Sequence, residues 1–137
     1  MNPAVAYRQP YSPGWTRVDM LLALYDGAIE RLELAASSLR SGDRMTAVRL
    51  LTRAATIVAE LVGGVDPHYV HAQEFLHLYG VVSTGISRVT LADTEGSLSL
   101  LRAMRDGLAD CRGEASRLER EGVLPPAGTS HITGTTA

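Results

Sequence analysis

Four stretches of helical length, each carrying apolar residues spaced alternately three and four apart, set the strongest limit on how this chain can fold. In the fourth stretch Leu101, Met104, Leu108, Cys111, Ala115 and Leu118 form the stripe, with Arg, Asp and Glu between them. In the third the stripe is Ala72, Phe75, Tyr79, Val82, Ile86 and Val89. That spacing turns one face of a helix toward a core, and no stretch calls for a strand. The punctuation agrees. Thr16-Arg17-Val18-Asp19 has capping-box spacing, and Ser41-Gly42 ends the first helix. Asp43 caps a second helix that stops at Gly63-Gly64. Asp66-Pro67 reads as the start of the third helix, Asp93-Thr94 as the start of the fourth, and Gly122 as its end.

Short connections between long helices favour antiparallel neighbours, so the expected fold is all-α, an up-down-up-down antiparallel four-helix bundle over residues 16–122. Residues 1–15 carry Pro3, Pro10 and Pro13 and read as an irregular N-terminal segment. Residues 123–137, with the run PPAGTSHITGTTA, read as a disordered C-terminal tail.

Composition narrows the function classes. The chain has 137 residues, 45% hydrophobic and 20% charged, with a formal net charge of -2. That balance suits one globular domain and argues against a nucleic-acid partner. The longest apolar run, Met20 to Tyr25, is stopped by Asp26, so neither a signal peptide nor stable membrane insertion is expected. A single cysteine excludes an internal disulfide, and a reducing cytoplasm is the expected location.

Catalytic and metal chemistry finds little support. His68, His71 and His77 cluster with Glu74, and Glu74-Phe75-Leu76-His77 has the Glu-x-x-His spacing of di-iron bundles, but the second copy is missing. His77 with Gly80 suggests a phosphotransfer histidine, though the glycine follows at three residues rather than four. Cys111 sits on a core stripe and reads as a small buried hydrophobe. No enzyme, metal site or cofactor is expected. A histidine phosphotransfer or regulatory bundle, and a self-associating structural module, stand as alternatives.

The first two helices carry more apolar residues than one stripe. In the second, two seams run side by side: Ala47, Leu50, Ala54, Ile57, Leu61, and Val48, Leu51, Ala55, Val58, Val62. In the first, Val18, Leu22, Tyr25, Ile29, Leu32, Ala36 and Leu39 lie beside Leu21, Leu24, Ala28 and Ala35. A broad arc is either ordinary core, since each bundle helix meets two neighbours, or an exposed groove for a partner.

The stretch from Thr16 to Ala28, with Leu24-Tyr25-Asp26-Gly27-Ala28-Ile29 at its centre, resembles the first bundle helix of the FliS family, the cytoplasmic export chaperones for flagellin. Ala6-Tyr7-Arg8-Gln9 is similar to that family's N-terminal tyrosine segment, and Gly42-Asp43 to its first turn. Ile57 to Leu61 with Val65-Asp66, Leu76 with Leu78-Tyr79, and Leu101 to Leu108 resemble the later helices in register. The resemblance covers roughly residues 4–120. It implies a chaperone that binds the C-terminal segment of flagellin, prevents premature polymerisation and aids type III export, with the export gate as a further partner. Together with the surplus apolar surface it points to Tyr7, Leu22, Tyr25, Ile29, Leu50, Ile57 and Leu61 as flagellin-binding residues. It points to Tyr7, Tyr11 and Trp15 as a displaceable lid. The oligomeric state, monomer or dimer, is left open, as is which seam faces the groove.

Overall fold

The computed structural model describes residues 17–111. They form four helices, α1 (Arg17–Arg40), α2 (Arg44–Gly63), α3 (Ala72–Ser87) and α4 (Leu91–Asp110). The sides of the bundle are α1–α2, α2–α3, α3–α4 and α4–α1. Side chains show the run of α1 against α4: Asp26, Glu33 and Arg40 pair in turn with Arg105, Arg102 and Glu95, so one sequence rises as the other falls. This is the expected four-helix bundle. Its core holds Leu32, Val58, Leu61, Tyr79, Val82, Leu101 and Leu108 at 1% exposure or less.

Local chemistry sets the boundaries. The α1–α2 turn places Gly42 at φ +81°, where glycine carries no steric penalty. There Gly42 N–H donates to Leu39 O at 3.2 Å and Asp43 N–H to Ser38 O at 2.8 Å, the paired bonds of a Schellman stop. Asp43 then caps α2, its Oδ1 accepting from Thr46 N–H at 3.1 Å. The Thr46 side chain first, and its N–H second, hold the Asp43 carboxyl below its ordinary value by hydrogen bonding. Gly64 ends α2 as expected, donating to Glu60 O.

Two starts differ from expectation. Asp66-Pro67 does not begin α3, because the buried Asp66 turns its Oδ1 onto His68 N–H at 2.9 Å and closes a local turn instead. Tyr69, buried in that link and packed 6.2 Å from the Phe75 ring, ties it to the core, and α3 begins at Ala72. Burial, with the charge of Glu74 second, pushes the Tyr69 phenol up. The fourth helix begins before Asp93-Thr94: Thr90 Oγ1 accepts from Asp93 N–H at 3.1 Å and donates to Asp93 Oδ2 at 2.8 Å. Cys111 is not in the core; half-buried, it caps the C-terminus of α4 with its N–H on Leu108 O. Thr16 of the first capping box, the irregular N-terminal segment, the stretch up to Gly122 and the C-terminal tail lie outside the described residues.

Candidate partner-binding surface

The seams of α2 decide which surface is left over. The core takes Ala47, Leu51, Ala54, Val58 and Leu61, drawing on both seams read from the sequence. Neither seam is the core by itself. Leu50 and Ile57 are left on one flank of that stripe, half-buried, while Val48, Ala55 and Val62 are left on the other. The two flanks meet different neighbours. Ile57 Cδ1 lies 3.4 Å from the point a Cβ on Gly27 would occupy, which puts that flank beside α1. Val48 and Ala55 line a cleft of about 260 Å³ with Leu51, Thr52, Ser83, Ile86, Ser87 and Val89, which puts the other beside α3.

Of the four sides, α2 and α3 come together over the least of their length. Their side is also uncharged along its length. On a helical wheel the charged residues of α2 that follow its first turn, Arg49, Arg53 and Glu60, turn away from α3. On α3, Glu74 pairs with His71 at 3.1 Å, and His77 and Arg88 line the opposite flank. Only at the end of the cleft does a charge appear, where Arg44 Nη1 donates to Val89 O at 3.3 Å. Val48 is 40% exposed there and Val62 37%, apolar surface that the bundle's own closure leaves in water.

The remaining sides are closed differently. Along α1–α4, Arg105 Nε donates to Asp26 Oδ1 at 2.8 Å and Arg40 pairs with Glu95 at 2.7 Å, with Arg102 on Glu33 between them. Between α3 and α4 the helices approach so closely at Gly85 that an added Cβ would stand 2.2 Å from Ser97 Oγ, which itself donates to Val82 O at 3.1 Å. A larger depression of about 550 Å³ lies outside that contact, but its rim carries His77, Arg88 and Asp93. Charges there would have to be desolvated by an apolar partner, so the smaller uncharged cleft suits such a partner better.

The sequence-derived residues separate into three groups. Leu22, Tyr25 and Leu61 are core members: Leu61 is fully enclosed, and the Tyr25 hydroxyl lies 2.5 Å from that of Tyr79 across the bundle. Leu50, Ile57 and Ile29 are half-buried, yet Ile29 does not join the other two. It lies between Asp26 and Glu33 on the strip of α1 that faces α4, roughly opposite Gly27 on the wheel. Tyr7, Tyr11 and Trp15 lie outside the described residues. Val48, Ala55 and Val62 were visible as a seam, and the signal that singles them out is the absence of charge on the same flank.

No curated protein matches the chain. The sequence profile described as "Flagellar protein FliS" matches residues 1–114, which takes in all four helices. With four helices enclosing one core and a match over most of its length, the chain belongs to the FliS family, a family of flagellar export chaperones.

Proposed function

We propose that this chain binds the C-terminal segment of flagellin along the apolar flanks of α2, with the α2–α3 cleft as the main seat. Bound there, the segment is kept from polymerising in the cytoplasm and is carried to the export gate. The observation that carries the reading is the uncharged face of Val48, Thr52, Ala55, Ser83 and Ile86 on the side where two neighbouring helices come together least. An amphipathic helix can lay its apolar stripe along the cleft without stripping water from a charge, Arg44 standing only at its end. Leu50 and Ile57, on the other flank of α2, extend the contact if the segment wraps the helix. Leu22, Tyr25 and Leu61 shape both flanks from the core.

Calorimetric titration with a synthetic peptide of the flagellin C-terminus tests this. The expected result is binding with a negative heat-capacity change and a gain of helical circular dichroism, since apolar burial and folding of the peptide occur together. Val48→Asp, in the cleft and 40% exposed, is expected to fold and to bind more weakly. Absence of heat and of any dichroic change at high peptide concentration counts against the proposal. Light scattering that finds a dimer with the cleft occluded would redirect it to self-association.

A further inference from the structure

Val89 stands apart from the other turn residues. Its φ is +51°, in the left-handed region where a β-branched side chain is strained. The α1–α2 turn meets the same conformational need with Gly42. Glycine or asparagine at position 89 would relieve the strain, so the valine has to be held in place by its surroundings.

Two contacts hold it. The side chain is half-buried against the core, and Arg44 reaches from the first turn of α2 to donate to its carbonyl at 3.3 Å. Strained residues over-determined in this way cluster at ligand clamps, and the place of this one fits. Val89 lines the α2–α3 cleft beside Val48, Leu51 and Ile86, where the turn into α4 bounds the open face.

We propose that Val89 is the end stop of the groove: held by Arg44, it walls off one end of the cleft and offers an apolar contact to the partner residue seated beside it. This rests on the reading that a flagellin segment lies along α2 and α3, and it adds what fixes that segment's position.

The test compares wild type, Val89→Gly and Val89→Ala for thermal melting and for calorimetric affinity toward the flagellin C-terminal peptide. Val89→Gly is expected to melt within a few degrees of wild type, because relief of backbone strain offsets the lost burial. Its peptide affinity is expected to fall about tenfold, the size of one lost apolar contact of this kind. Val89→Ala trims the wall while keeping the strained backbone, and is expected to weaken binding in the same way; it carries the test if the glycine variant fails to fold. Arg40→Gln, on the α1–α4 side, should leave affinity unchanged. If both Val89 variants bind as tightly as wild type while Val48→Asp abolishes binding, the groove stands and the end stop is overturned. If wild type binds no peptide, the groove reading falls and the end stop with it.

Discussion

Three arginine–carboxylate pairs run the length of the α1–α4 side, whereas the α2–α3 side presents Val48, Ala55, Ser83 and Ile86 with no ion pair across it among the described residues. Both sides cover the same core. Exposed ion pairs add little stability, typically about 0 to 1 kcal/mol each, but they fix register and make a surface costly for an apolar partner to cover. An uncharged flank does the reverse. By this contrast α1 and α4 are matched to each other by charge, while α2 and α3 meet without it.

The largest expected effect separates core from flank on α2 itself. Val58 is fully enclosed and Val48 is 40% exposed, so Val58→Asp should unfold the protein at ambient temperature while Val48→Asp folds and loses the peptide. If both fold, or both unfold, the division of α2 into core stripe and open flank is wrong. Melting curves followed by dichroism decide it.

Next comes the α3–α4 side, where the helices close by shape and one ion pair, Arg88 with Asp93 at 3.7 Å, sits at the turn. Gly85→Ala would place a methyl group 2.2 Å from Ser97 Oγ and 3.2 Å from the Asp93 carbonyl, and should cost about 1 to 3 kcal/mol, the usual range for overpacking. Combining it with Ser97→Ala removes the nearer clash and should restore most of the loss. A neutral single variant would mean that this contact yields easily.

Smaller changes are expected on the paired side. Asp26, hydrogen-bonded to Arg105, holds that guanidinium above its already high value, yet the pair is exposed to solvent. Arg102→Gln and Arg105→Gln should each cost no more than about 1 kcal/mol, less at high salt, and leave peptide affinity alone. A loss of affinity in either variant would extend the partner site to the side assigned to internal pairing.

The smallest effect concerns the cap of α2. Asp43 has its folded carboxyl pKa depressed by the bonds from Thr46, so its contribution is present above the unfolded value near 3.8 and is lost as pH falls through the lower folded value. Asp43→Asn should flatten the acid limb of the melting temperature without shifting it near neutral pH. An unchanged acid limb would remove Asp43 from the titration.

Periodicity and punctuation were enough to place the C-terminal end of α1 and both ends of α2 within a residue or so of where they are observed, because Gly42, Asp43 and Gly64 act through their immediate neighbours. Asp66 misled because a side chain that can cap a helix can equally close a two-residue turn, and burial of Tyr69 decided between them. On α2 the seams were visible but their phase was not. Stepping from Ala47 to Leu50 or to Leu51 are both helical, and only the positions of α1 and α3 select Leu51. The same limit joined Ile29 to Ile57: each is an apolar residue beside a core stripe, and the sequence does not say that one faces α4 and the other α1.

The same ion pairs that seal α1 against α4 link residues 55 to 79 positions apart in the chain, whereas α1 and α2 are joined by a three-residue turn. Chain closure over so long a span carries the greater entropy cost, so the α1–α2 hairpin should assemble early and α4 dock late. Mutations of Ala54 or Val58 should then slow folding, and mutations of Leu101 or Arg105 should mainly speed unfolding. The helix proposed to hold the partner would thus be among the first parts of the molecule to take shape, and the side that fixes its register among the last.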